Sequence, residues 1–208
     1  MKRTVLLTAL LSLLATACTI DKDYDLSGDN LDKTIVLAKG YSIPVGSFEP
    51  VYLNDILPAA VPQGTDEIVL HLSETRFNGA DIIIEGLDHL GEEDYSFTEA
   101  TLKMVVKSTI PCNFTFTGEL TDNSGTPIAG SSVTVTGDIN EGSTNSPAYS
   151  PVTFEMNVPE GSTSLSKIVI HTAGDYGSKT TVTHSARQYL QFTEVSMTLD
   201  SGILIKNK

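Results

Sequence analysis

Between Thr101 and Leu199 lie runs in which apolar side chains recur at every second position, and that period confines those runs to strands. Leu102, Met104, Val106 and Ser108 fall on one side, with Thr101, Lys103, Val105 and Lys107 between them. Successive strand side chains point to opposite faces, so such a run buries one face and wets the other. Cys112, Phe114 and Phe116 repeat the pattern against Asn113, Thr115 and Thr117. Val133 and Val135 alternate with Ser132, Thr134 and Thr136, and Val152, Phe154, Met156 and Val158 with Thr153, Glu155 and Asn157. Leu190 and Phe192 are followed by Val195, Met197 and Leu199. The parity changes between Phe192 and Val195, which predicts a bulge or the junction of two strands. Ile203 and Ile205 close the last strand.

Turn chemistry separates these runs. Asp122-Asn123-Ser124-Gly125 reads as a hairpin loop between the Phe114 and Val133 strands, and Asn140 to Pro151 as a polar loop. Glu160-Gly161-Ser162 and Gly174 to Gly177 are further breaks. The first half is less regular. Thr34–Ala38, Tyr41–Val45, Phe48–Leu53 and Glu67–Leu72 read as short strands, Asn54 to Leu57 as one helical turn, and Ile82-Ile83-Ile84 as a buried strand. Leu87 to Tyr95 then turns acidic and polar. The expected fold is all-β: an antiparallel β-sandwich of Ig-like architecture over residues 96–208, behind a smaller, irregular N-terminal β unit over 33–95. With 208 residues and 40% hydrophobic content there is material for a core.

The first residues read as an address. Met1-Lys2-Arg3 is a basic head, and Thr4 to Ala17 is uncharged and leucine-rich. A bilayer span needs about 20 apolar residues, so this stretch fits a secretory signal peptide, residues 1–17, rather than a span. Ala15-Thr16-Ala17 suits ordinary signal cleavage. Leu14-Ala15-Thr16-Ala17-Cys18 also resembles the lipobox of bacterial lipoproteins, although Ala15 stands where the usual lipobox has Leu. That resemblance implies lipid attachment at Cys18. Residues 18–32, with Asp21, Asp23, Asp25 and Asp29, then form an acidic, solvated tether, as expected behind a lipidated cysteine. Acyl chains contribute about 0.8 kcal/mol per buried CH₂, enough to hold a domain on a membrane without a spanning helix.

Charge narrows the partners. The chain carries 26 acidic and 13 basic residues, a net −13, which gives phosphate no electrostatic handle and argues against nucleic acid. Loss of residues 1–17 removes Lys2 and Arg3 and leaves the rest more acidic still. Anionic headgroups would repel it, so the domain is expected to stand off the membrane.

Asp23-Tyr24-Asp25-Leu26-Ser27, followed by Tyr41-Ser42-Ile43-Pro44-Val45-Gly46-Ser47, resembles a group of lipoproteins from Bacteroides-type bacteria. Ser108 to Phe114 and Gln188 to Val195 are similar to later phrases of the same group. The resemblance implies a β fold and a cell-envelope, outer-membrane address, on the surface or the periplasmic face. The acidic run after Cys18 resembles that group's signal for surface export. It implies no catalytic residue.

Catalytic chemistry does not assemble in the sequence. The histidines are His71, His89, His171 and His184, and no Gly-x-Ser-x-Gly elbow occurs. His71 and His171 lie at strand positions, where packed or exposed imidazoles are ordinary. Cys112 alternates with Phe114 and Phe116 and reads as a small core residue; the other reading is a nucleophile or a disulfide partner of Cys18. Asp21, Asp23, Asp25 and Asp32 match calcium-loop spacing, but Leu26 stands where the loop needs Gly, so they read as tether. No zinc pair, phosphate loop or dinucleotide fingerprint is present, and no cofactor is implied. Trp is absent; Tyr41, Tyr52, Tyr95, Tyr149, Tyr176 and Tyr189 are the candidates for sugar stacking. Three functions follow in order. The first is a non-enzymatic, membrane-anchored envelope lipoprotein with a binding or assembly role and a protein partner. The second is a glycan or small-ligand binder, and the third a hydrolase of unfamiliar type.

Overall fold

The computed structural model describes residues 35–37, 39–58, 60–85, 95–160, 162 and 165–205. Cys18, the tether and His89 lie outside these residues. The strands are β1 (Ile35–Leu37), β2 (Tyr41–Gly46), β3 (Val51–Tyr52), β4 (Glu67–His71), β5 (Arg76–Asn78), β6 (Ile82–Glu85), β7 (Tyr95–Ser96) and β8 (Glu99–Ser108). They continue as β9 (Asn113–Thr121), β10 (Ser132–Thr136), β11 (Ala148–Asn157), β12 (Lys167–Asp175), β13 (Thr181–Ser185), β14 (Tyr189–Leu199) and β15 (Ile203–Ile205). One helical turn, α1 (Leu53–Ile56), follows β3.

All pairings are antiparallel, and the two larger sheets stack as sandwich-like layers. The first sheet has six strands, ordered β10-β11-β8-β14-β2, with β3 also on the outer edge of β14. The second has four: β12 pairs with β9 along one edge and with β5 and β6 on the other. The alternation read from the sequence is what joins them. Leu102, Met104, Val106, Phe154 and Phe192 point inward from the first sheet; Phe114, Phe116, Ile168 and Ile170 point inward from the second, and all are buried. Phe116 of β9 stacks on Phe154 of β11 at 6.4 Å and meets Phe192 of β14 at 6.1 Å, so aromatic contacts tie layer to layer. A two-stranded β4–β13 ribbon, with Val182 and His184 turned inward, and the fully buried Leu53 and Ile56 of α1 complete the core. A three-stranded sheet runs β1-β15-β7.

The parity change in β14 is a bulge. Its register against β8 shifts between Thr193 and Ser196, and Glu194 adopts a positive φ of 52°. The bulge re-aims β14 so that β2 takes the edge from Val195 to Leu199, while β3 takes it at Tyr189 and Leu190. Strands preceding Tyr95 thus lie on sheets built by strands that follow it: β2 and β3 on β14, β5 and β6 on β12, and β4 on β13.

Several local expectations need correction. Ile82–Ile84 is not buried on both faces: Ile82 and Ile84 pack on the core, but Ile83, pointing to the other face of the sheet, is 47% exposed. The Asp122–Gly125 turn is tight, with Asp122 Oδ1 accepting from the Ser124 and Thr126 N–H groups at 2.8 Å. The turn itself is a hairpin, with Thr121 bridged to Pro127 and the Ile128 N–H donating to the Leu120 carbonyl, but the chain then leaves β9: β9 belongs to the second sheet and β10 pairs with β11 in the first. Gly174 is no break but an interior residue of β12, where a Cβ would run into the Phe77 ring. The Asn140–Pro151 loop ends earlier, since β11 starts at Ala148. Pro151 is tolerated there because the pairing of β11 with β10 ends at Thr153, leaving Pro151 without a partner strand on that side. Phe48–Leu53 reduces to the short β3, with Leu53 already helical.

Candidate functional site

The outer face of the six-stranded sheet carries a row of aromatic side chains. Strand parity that points Met104, Val106, Leu190 and Phe192 inward points Lys107, Tyr189 and Gln191 outward. The register sets Tyr149 of β11 opposite Lys107 of β8, and Lys107 opposite Gln191 of β14. Across the other edge of β14, Tyr189 lies opposite Tyr52 of β3. Tyr149, Lys107, Tyr189 and Tyr52 therefore form a diagonal row over adjacent strands. Tyr149 is 61% exposed and Tyr52 47%. Tyr52 and Tyr189 meet edge to face at 6.2 Å, and the Lys107 ammonium sits 5.4 Å from the Tyr189 ring centroid, a cation–π distance. Interaction with the Tyr189 hydroxyl raises Lys107 above its ordinary pKa, so it is cationic at neutral pH.

The opposite outer face, over β9, β12 and β5, carries a polar groove. Its narrower end, a cavity of about 370 Å³, is lined by Asn78, Asp81, Thr115, Thr117 and His171. His171 Nδ1 lies 2.8 Å from Asp81 Oδ1, and its Nε2 lies 3.7 Å from Glu119 Oε2. The wider end, about 760 Å³, includes Glu74, Arg76, Asp138, Asn140 and Asp175. Arg76 Nε donates to Asp175 Oδ2 at 3.0 Å, and Lys179 pairs with Glu141 beside it. The Gly177 N–H and then Arg76 hold Asp175 below the usual carboxylate range. Arg76 and Lys179 are thus engaged with carboxylates, and His171 of β12 bridges Asp81, just before β6, and Glu119 of β9; the neighbouring hydroxyls are Thr115 and Thr117 of β9 and Thr172 of β12. Among the described residues no group of three or more His, Cys, Asp or Glu side chains is arranged to hold a metal ion.

The remaining candidates separate cleanly. Cys112 is fully buried, and burial pushes its thiol up to about 12, so it stays protonated at neutral pH. His184 is 1% exposed, with Nε2 2.8 Å from the Tyr176 hydroxyl. Burial holds this imidazole below its ordinary pKa, against a smaller opposing effect of the Ala60 backbone. Tyr176 is buried too, which raises its phenol, and Tyr41 stands apart on β2, opposite Leu199. His71 ends β4 on the exposed face of the ribbon. Of the tyrosines named from the sequence, the fold gathers Tyr52, Tyr149 and Tyr189. The residue that sequence reasoning missed is Lys107, whose signal was its outward parity in β8.

No family model matches the chain, and neither a curated protein nor a solved structure matches it.

Proposed function

We propose that this chain is a lipid-anchored envelope protein that acts by binding, not by catalysis, with its β-sandwich held off the membrane on the acidic tether. The observation that carries the reading is the order of its parts: a basic, apolar head, a lipobox-like Leu14–Cys18, an acidic linker, then an antiparallel double layer with aromatic rings on its outer face. The resemblance to Bacteroides-type lipoproteins supports the outer-membrane address. The Ig-like description belongs to this proposal in the broad sense of two antiparallel layers over one core. A binding role is supported by where the reactive groups sit: Cys112 and His184 are sealed in the core, and His171 is held between two carboxylates. A ligand-binding role is favoured over an assembly role by the Tyr149–Tyr52 row, because its rings spread along one line instead of forming a broad apolar patch.

Metabolic labelling with a fatty-acid analogue, in wild type and Cys18→Ser, tests the anchor; protease shaving of intact cells reads the side. The proposal expects label in wild type alone. An unlabelled wild type refutes it.

A further inference from the structure

We propose that the outer face of the six-stranded sheet is a saccharide platform: Tyr149 and Tyr52 stack on sugar rings, half-buried Tyr189 between them holds Lys107 in place, and Lys107 receives the carboxylate of an acidic oligosaccharide. This rests on the binding role proposed above and names its site and ligand class. Sugar rings are amphipathic, with a C–H face that lies on an aromatic ring and a rim of hydroxyls that seeks polar partners. The row supplies both, through the exposed Tyr149 and Tyr52 rings and, between them, the Lys107 ammonium and the Gln191 side chain. From β11 across β8 and β14 to β3 the row crosses three interstrand spacings, about 14 Å, the reach of a short oligosaccharide.

Charge selects within the saccharides. On a chain of net charge −13, this face presents Lys103 and Lys107 from the same side of β8. Among the described residues no carboxylate lies within ion-pair distance of either. In the groove on the other sheet, by contrast, Arg76, His171 and Lys179 each have an acidic partner. Lys103 and Lys107 both lack a carboxylate partner among the described residues, and Lys107 is the one of the two that lies beside the tyrosine row.

The same geometry disfavours a peptide or a protein. A peptide adding to a sheet pairs along an open edge and would engage only the Tyr149 or the Tyr52 end of the row, because Lys107 and Tyr189 lie on β8 and β14, interior strands paired on both sides. A stable protein interface buries about 800 Å² on each partner around an apolar centre. Beyond Pro151 and Val105, this face continues as Thr153, Lys103 and Ser196, then Glu155, Thr101 and Thr198.

The test uses the mature chain in detergent. The chain has no Trp and 7 Tyr, three of them in the row, so a ligand that covers the row changes the tyrosine fluorescence, and Tyr149→Ala shows how much of the change arises there. The probes are oligogalacturonate and sialyllactose as two carboxylate sources, cellohexaose as the neutral control, and hexaglutamate as the acidic peptide. The expected result is saturable binding of at least one acidic saccharide, tighter than cellohexaose. Tyr149→Ala should weaken it about tenfold, the scale of a lost aromatic stack, and Tyr149→Phe should restore it. Lys107→Ala should abolish the preference for acid and its salt dependence, and His171→Ala on the far sheet should leave binding unchanged. Three results would overturn the proposal: no binding of either acidic saccharide, binding indifferent to Tyr149→Ala, or hexaglutamate bound in preference. The last would spare a binding role while removing the saccharide. Failure of the anchor is read separately, by loss of the fatty-acid label.

Discussion

Phe116→Ala is the perturbation that interrogates the two-layer core most sharply. Phe116 is 5% exposed on β9 and touches Phe154 and Phe192 on two strands of the opposite layer. Deleting a buried phenylalanine ring costs about 3–5 kcal/mol through lost transfer energy and the cavity left behind. Each lost aromatic pair accounts for about 0.5–1.5 kcal/mol, and both partners sit in strands too well paired to collapse inward, which places the loss near the upper end, about 4 kcal/mol. With a urea slope of about 2 kcal/mol/M, the midpoint should fall by about 2 M with the slope unchanged. Far-UV circular dichroism through a urea titration reads it. Phe48→Ala is the control: Phe48 is half-buried and meets Phe192 edge-on at 6.5 Å from the periphery, so its loss should be clearly smaller. A shift for Phe116→Ala no larger than that control, with the same slope, would refute a core shared between the layers.

Gly174→Ala should destabilise by about 1–3 kcal/mol, because the new methyl overlaps the Phe77 ring; an unchanged thermal midpoint would contradict the close approach of β5 to β12. Acidification should reveal His184. Its folded pKa lies below the unfolded value of about 6.5, so the unfolded chain takes up the proton first. The contribution of neutral His184 is complete above about pH 6.5 and is lost as pH falls through the lower folded value. Urea midpoints between pH 7 and 5 should therefore fall more steeply in wild type than in His184→Gln, and parallel slopes would count against a buried neutral imidazole. Below that window, Asp175 adds a further acid loss, since Gly177 and Arg76 hold it ionised in the folded state; Arg76→Ala should reduce this in the same titration.

The alternation made β8, β9, β10, β11 and β14 legible, and its one parity error located the bulge at Glu194. It failed where the pattern is interrupted by residues chosen for packing. In β12 the inward series Ile168, Ile170, Thr172, Gly174 ends in a hydroxyl and a glycine, because Phe77 occupies the space a side chain would fill. In β13 a buried histidine stands where an aliphatic residue would have signalled a strand. Strands of three residues, such as β5, are too short to show a period. The tyrosine row was legible only as a set of names. Tyr52, Tyr149 and Tyr189 meet through long-range register, and local sequence carries no record of which strand lies beside which. The same is true of His171, whose Asp81 precedes β6 and whose Glu119 lies on β9.

The most direct test of the account reads both cysteines of one protein: intact mass of the chain extracted from native membranes, with thiol alkylation before and after unfolding. The account predicts a chain that begins at an acylated Cys18, and a Cys112 that resists alkylation until the fold is opened. A chain without acyl mass and with no thiol to alkylate even when unfolded would mean a Cys18–Cys112 disulfide, and would contradict both the anchor and the sealed core cysteine.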